Sequence, residues 1–171
     1  MIPDIPGQPV GRYAAELRGK VADLLGRKNP GKFPGAQPVS FASKHIQELM
    51  NENYFCSEKA DGVRVLLFSH VQKDTGKPEI FLACTSLPPP INSHQIDRKN
   101  EYYYLPEWTL PTPDLKGFLD NTLLDAELVI DKPKGSSEAG VLWLLLFDCI
   151  VYDGKNLCER TYIKRLVSCK S

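Results

Sequence analysis

The sequence lacks any excess of charge of one sign, and it lacks an apolar run long enough to cross a bilayer. Its 21 lysines and arginines are matched by 21 aspartates and glutamates, so the formal net charge is zero. A neutral chain has no global basic field to hold nucleic acid, although a local basic patch is compatible with it. The longest apolar stretch, residues 141–147, is far shorter than a membrane span. We therefore expect neither a membrane protein nor a stand-alone RNA-binding module.

The sequence lacks closely spaced cysteines of the kind that build metal sites. The five cysteines are odd in number and widely spread, at positions Cys56, Cys84, Cys149, Cys158 and Cys169. No two of them have metal-ligand spacing, so we predict no metal centre and interpret them as reduced thiols of an intracellular protein. The N-terminal residues, MIPDIP, have neither the basic start nor the apolar core of a secretory signal.

The composition and the pattern of apolar residues predict one modest α+β domain. The chain has 171 residues, of which 42% are hydrophobic and 25% are charged, as in globular proteins. Helical spacing over residues 12–25 ends at Gly26, and a second helix is predicted from Ser43, a good cap residue, to Met50.

Runs rich in Val, Ile, Leu, Phe and Tyr follow these two helices and predict six strands. They lie at residues 54–56, 63–69, 79–83, 101–105, 122–130 and 141–151. Asp74-Thr75-Gly76 lies between two of them and predicts a hairpin turn. Two leading helices followed by a mainly antiparallel sheet define the predicted α+β class.

Two segments do not fit a compact domain. Residues 84–95, with three consecutive prolines, are interpreted as an irregular insertion, and residues 167–171 as a non-native tail. Both are compatible with retained intron sequence. Transcripts that read through both points without a splice junction would contradict that hypothesis.

The most informative motif is the run KADGVR, residues 59–64, which lies where one apolar run ends and another begins. Lys59 is a possible nucleophile, Arg64 suits phosphate oxygens, and Gly62 allows the backbone to approach a ligand closely. A free lysine has a pKa of about 10.4, so attack through its neutral amine requires burial or neighbouring cations. The pattern predicts a covalent nucleotidyl-transfer site.

This motif resembles the nucleophile motif Lys-x-Asp-Gly-x-Arg of the covalent nucleotidyltransferases, which include mRNA capping guanylyltransferases and ATP-dependent ligases. Further segments resemble those of the capping enzymes and occur in the family's order: residues 33–41 (FPGAQPVSF), 96–104 (IDRKNEYYY), 124–129 (LDAELV) and 146–149 (LFDC). The resemblance covers roughly residues 2–166 and favours the fungal type of capping guanylyltransferase.

The resemblance implies a role for each of several residues. Lys59 would attack the α-phosphate of GTP, Asp61 and Gly62 would shape the loop around it, and Phe147 would stack on guanine. The residues implied to bind the nucleotide's ribose and phosphates are Arg64, Arg98 and Glu127.

Each residue also has a structural interpretation that the sequence leaves open. Lys59 could be an ordinary lysine at a strand end, and the arginines could form surface salt bridges. Glu127 needs a partner within an apolar strand, and a neighbouring arginine would serve. Phe147 could be a core residue.

The resemblance implies a partial domain and a set of partners. Residues 1–171 would form part of a nucleotidyltransferase (ATP-grasp-like) domain, without the later phosphate-binding motifs and the OB-fold domain of the family. The implied enzyme uses GTP and Mg²⁺ or Mn²⁺, acts on 5′-diphosphate RNA in the nucleus, and works beside an RNA triphosphatase and the tail of RNA polymerase II. An ATP-dependent ligase fragment and a non-catalytic truncated protein that only binds partners are the alternatives.

Overall fold

The computed structural model describes residues 3–30, 34–37, 39–84, 101–132 and 140–168. Within these ranges it contains one sheet and three α-helices. The strands are β1 (Gln8–Pro9), β2 (Val63–Val71), β3 (Pro78–Cys84), β4 (Glu101–Tyr104), β5 (Thr122–Asp131), β6 (Val141–Tyr152) and β7 (Lys155–Asn156). The helices are α1 (Ala14–Leu24), preceded by a 3₁₀ turn (Gly11–Tyr13), α2 (Lys44–Asn51) and α3 (Tyr162–Ser168).

The sheet has the strand order β1-β4-β3-β2-β5-β6-β7, and each neighbouring pair of strands is antiparallel. β2 lies at its centre, between β3 and β5. The predicted turn at residues 74–76 joins β2 to β3 as a hairpin. The α+β class and the mainly antiparallel sheet are therefore confirmed.

The alternation of side chains along β2 divides the core between the two faces of the sheet. Leu66 and Phe68 point to the face that packs against Leu17 of α1, which we call the α1 face. Val65 and Leu67 lie in the apolar cluster on the opposite face. The same alternation places residue 64, at the start of β2, on the α1 face.

The two leading helices form near their predicted positions. Gly26, with a φ of 63°, follows the end of α1 in the left-handed conformation that commonly ends helices. α2 begins after Ser43, but no side-chain hydrogen bond from Ser43 caps it. The apolar residues Leu49 and Met50 of α2 are exposed.

Three features differ from the prediction. The strand predicted at residues 54–56 is wrong: this segment is irregular, with exposed Tyr54 and Phe55, since none of the described strands lies beside it to pair with its backbone. The short strands β1 and β7 were not predicted, because two residues carry no periodic pattern. Helix α3 was not predicted either, although it packs against β6.

The two unusual segments fall mostly outside the described residues. Of residues 84–95 only Cys84 is described, at the end of β3, and of residues 167–171 only Val167 and Ser168, at the end of α3. Within the described ranges, no helix has the length and apolarity needed to cross a membrane.

The first half of strand β6 is apolar although it is exposed to solvent. It carries exposed large side chains, namely Val141, Leu142, Trp143, Leu145 and Leu146. β7 pairs only with the last two residues of β6, so no described strand covers the outer edge of the first half. Such an edge is prone to pair with another chain.

Candidate functional site

The segment that contains Lys59 leads directly into the central strand β2. The Lys59 side chain is exposed, and its Nζ donates to the carbonyl oxygen of Ala60 at 3.2 Å. Three residues later, the amide of Gly62 donates to Oε1 of Glu127 at 2.8 Å. The end of the segment is therefore attached to β5, while the lysine itself remains in contact with solvent.

Gly62 lies against the backbone of β5 more closely than any other residue type would allow. A Cβ at this position would overlap the carbonyl oxygen of Leu128 and lie 2.7 Å from Cγ1 of Val129. The carbonyl belongs to a paired strand and cannot move aside easily. The glycine in the motif is thus required by close packing of the loop on β5.

We expect Gly62→Ala to lower the free energy of unfolding by about 2 kcal/mol, because the added methyl group overpacks a rigid backbone contact. Chemical denaturation followed by circular dichroism measures this change. Gly19→Ala is the matched control, since a Cβ at Gly19 meets no atom within 4 Å. In helix α1 that change should stabilise the protein by about 0.5–1 kcal/mol. Equal effects of the two variants would contradict the packing argument.

Arg64 is held by a buried carboxylate that the motif does not include. Its Nε donates to Oδ1 of Asp125 at 2.9 Å, and its Nη2 donates to Oδ2 of the same residue. Nη1 donates to the carbonyl oxygen of Ala36 at 2.6 Å. The Asp125 side chain is only 2% exposed and that of Arg64 is 26% exposed. This two-point contact fixes the plane of the guanidinium.

Hydrogen bonding and burial shift the pKa of each member of this pair in opposite directions. The hydrogen bond to Asp125 raises the pKa of Arg64 above its ordinary value, so the guanidinium stays charged. Burial raises the pKa of Asp125, and the hydrogen bonds from Arg64 oppose that rise. The carboxylate therefore depends on Arg64 for its charge in the interior.

Phe147 lies near Arg64 because of an irregularity in β6. Asp125 is paired with Asp148 and Ala126 with Leu146, so Phe147 is the extra residue of a β-bulge. The Cζ atom of Arg64 lies 5.7 Å from the centroid of the Phe147 ring. The bulge thus brings the ring to the guanidinium, at a distance suited to a cation–π contact.

A cleft is lined by the residues that precede the Lys59 segment and by the start of α3. It has a volume of about 770 Å³ and lies between residues 53–57 and residues 161–166. Phe55 and Tyr162 approach each other across it, with ring centroids 5.8 Å apart. The cleft is open to solvent and lies close in sequence to the lysine.

The described carboxylates do not by themselves fit a metal ion. Asp125 binds Arg64, Asp148 binds Arg165 at 2.8 Å, and Glu127 accepts the Gly62 amide. No group of three His, Cys, Asp or Glu side chains with suitable geometry occurs in the ranges that the structure describes. A divalent cation would need most of its ligands from phosphate oxygens and water.

The structure brings most of the predicted site residues together. The Lys59 loop, Glu127, Arg64 and Phe147 are linked by the contacts just given, and Arg64 lies opposite Glu127 in the β2–β5 register. Asp61 is exposed in the loop. The prediction for Arg98 concerns a residue outside the described ranges.

Sequence reasoning did not single out Asp125 as a site residue. A signal was available, because residues 125 and 127 alternate onto one face of a strand and the neighbours of Asp125 are buried. A carboxylate at such a position needs a charged partner. The nearest arginine on the same face of the paired strand is Arg64.

An exposed lysine on the segment that leads into the central strand, with a fixed arginine and an aromatic ring on the sheet that follows, is compatible with the nucleotidyltransferase class. The family described as "mRNA capping enzyme, catalytic domain" matches residues 3–171. The chain belongs to that family.

Individual relatives agree with this assignment. The chain is 40% identical to the mRNA-capping enzyme subunit alpha of Neurospora crassa over 90% of its length, and 37% identical to that of Yarrowia lipolytica over 97%. It is 35% identical to the Saccharomyces cerevisiae protein of the same description over 96%. These alignments cover 35%, 39% and 35% of the relatives, so the chain spans little more than a third of their length.

Proposed function

We propose that the chain carries the nucleotide-accepting part of an mRNA guanylyltransferase. In the first step, the lone pair of the neutral Lys59 amine attacks the α-phosphorus of GTP, and the nitrogen loses one proton to solvent. The bond from this phosphorus to the bridging oxygen breaks, and pyrophosphate leaves with that electron pair. In the second step, a terminal phosphate oxygen of 5′-diphosphate RNA attacks the same phosphorus, and the phosphorus–nitrogen bond breaks as the nitrogen takes a proton from solvent, which releases Lys59 as the amine.

The observation that carries this proposal is the attachment of the lysine loop to a charged, aromatic-lined part of the sheet. Glu127 holds the loop through the Gly62 amide, and Asp125 fixes Arg64 beside Phe147. Nucleotidyl transfer depends mainly on positioning and on stabilisation of phosphate charge. A loop anchored at Gly62, three residues after the nucleophile, and an oriented guanidinium at Arg64 would serve these two needs.

The remaining residues take the roles that the family resemblance implies. Arg64, Arg98 and Glu127 are proposed to contact the ribose and phosphates, Phe147 to stack on guanine, and Asp61 to shape the loop. Mg²⁺ or Mn²⁺ is proposed to enter with the nucleotide, since the carboxylates of Asp125, Asp148 and Glu127 have protein partners.

The wider setting of the proposed enzyme is also taken from the family. We propose that residues 1–171 are part of a nucleotidyltransferase domain of the ATP-grasp-like type, acting in the nucleus on nascent transcripts. An RNA triphosphatase and the tail of RNA polymerase II are its proposed partners. Residues 84–95 are retained in this proposal as an insertion.

The test is covalent labelling of the purified chain. The protein is incubated with α-labelled GTP and, in parallel, with α-labelled ATP, in Mg²⁺ or Mn²⁺, and is then denatured. We expect an acid-labile label from GTP that maps to the peptide containing Lys59. Stronger labelling from ATP would assign the chain to the ligases. No label from either nucleotide would indicate a non-catalytic chain.

A further inference from the structure

The bulge at Phe147 leaves a backbone position that the β5–β6 ladder does not pair. Phe147 has no partner residue on β5, because the register passes from Asp148 directly to Leu146. Bulges leave the extra residue outside the ladder and re-aim its side chain. The position of the Phe147 ring therefore depends on contacts other than those of the sheet.

Helix α3 contacts two consecutive residues of β6, Phe147 and Asp148. The hydroxyl of Tyr162 donates to the carbonyl oxygen of Phe147 at 2.9 Å. Nε and Nη2 of Arg165 donate to the two carboxylate oxygens of Asp148, each at 2.8 Å. One helix thus holds the backbone of the bulged residue and the side chain next to it.

The two α3 residues are themselves fixed in place. The Cζ atom of Arg165 lies 5.7 Å from the centroid of the Tyr162 ring, and Nη1 of Arg165 donates to the carbonyl oxygen of Arg160 at 2.7 Å. The side chains of Arg165 and Asp148 are 19% and 17% exposed, so solvent screens their contact only in part. The hydrogen bond to Asp148 raises the pKa of Arg165, which keeps the guanidinium charged.

We propose that Tyr162 and Arg165 are positioning residues that set the orientation of Phe147 and thereby the affinity for the guanine base. This inference rests on the proposed function, in which Phe147 is the stacking residue. Neither α3 residue needs to touch the nucleotide. They act by holding the bulge in the one geometry that brings the ring to the guanidinium of Arg64.

The decisive variant is Tyr162→Phe, which removes a single hydroxyl and retains the ring. Lys164→Ala, an exposed residue of the same helix, is the matched control. In the labelling assay we expect Tyr162→Phe to raise KM for GTP about tenfold, as partial loss of one aromatic stack would. The labelling rate at saturating GTP should change less than twofold by the same argument, since Lys59 and Arg64 are untouched. A variant with the KM of Lys164→Ala would overturn the proposal.

Two further measurements separate orientation from general stability. Arg165→Lys keeps the charge but loses the two-point contact, so it should show the same rise in KM with a smaller change in melting temperature than Arg165→Ala. Hydrogen exchange of residues 145–149 should become faster in Tyr162→Phe and remain unchanged in Lys164→Ala. Unchanged exchange in Tyr162→Phe would overturn the positioning role.

The exchange measurement also distinguishes this inference from the proposed function. If the unmodified chain forms no covalent label, the proposed function fails, yet exchange at the bulge still reports whether α3 fixes Phe147. If the chain is labelled and Tyr162→Phe behaves like the control in both assays, the inference fails alone.

Discussion

Lys59→Ala should abolish covalent labelling of the chain by GTP. The alanine side chain has no lone pair to attack phosphorus, so the loss should reach at least about 10³-fold, as for removal of other catalytic nucleophiles. Binding of GTP should persist, because Arg64 and Phe147 are held by contacts that do not involve Lys59. Labelling followed by denaturing gel electrophoresis measures the first effect, and equilibrium binding of GTP measures the second.

Two controls make this result specific. Lys73→Ala changes an exposed lysine in the β2–β3 turn and should leave labelling unchanged. Lys59→Arg retains a positive charge without a nucleophile at neutral pH, so it should fail to accept label as completely as the alanine variant. Persistent label in Lys59→Ala would place the nucleophile elsewhere and overturn the proposed chemistry.

Arg64→Ala should be among the most destabilising single changes in the described part of the chain. It leaves the carboxylate of Asp125, which is 2% exposed, without its guanidinium partner. Removing one member of a buried ion pair costs about 3–5 kcal/mol. Equilibrium denaturation in urea should show this loss as a lower midpoint with an unchanged slope.

The size of this effect should depend on pH in a defined direction. Burial raises the pKa of Asp125 even with Arg64 present, and without Arg64 the rise is unopposed. A carboxyl group whose pKa is raised by folding binds its proton more tightly in the native state, so stability falls as pH rises from the unfolded pKa of about 3.9 to the folded value. The cost of Arg64→Ala should therefore be larger at pH 7 than at pH 4.

The double variant Arg64→Met with Asp125→Leu provides the control for this pair. It removes both charges and fills the site with apolar side chains, so it should recover most of the stability lost in Arg64→Ala. If the loss of unfolding free energy in the double variant equalled the sum of the losses in Arg64→Met and Asp125→Leu alone, the ion pair would not be the cause of the loss in Arg64→Ala. Neither double nor single variant should bind GTP normally, since both lack the guanidinium.

The sheet was predictable because its long strands carry strong local signals. β2, β5 and β6 are rich in apolar residues, and the hairpin between β2 and β3 has a recognisable turn. The segment at residues 54–56 has the same composition but no neighbouring strand in the described structure. Local propensity describes the segment alone, while a strand requires a partner.

The site was only partly predictable for a related reason. The motif places Lys59, Gly62 and Arg64 in one short stretch, so their proximity follows from sequence. The contact of Arg64 with Asp125 depends on the register of two strands, which sequence spacing does not reveal. The bulge at Phe147 and its support from α3 depend on packing in the same way.

The two contacts that build the site join residues far apart in the chain. Gly62 and Glu127 are 65 positions apart, and Arg64 and Asp125 are 61 positions apart. Contacts of this range form slowly, since closing the long intervening loop costs entropy before the contact is made. A nucleotide that binds only the assembled pair of strands will favour the folded chain by mass action. GTP, the proposed substrate, is therefore also expected to assist the production of this protein in folded form.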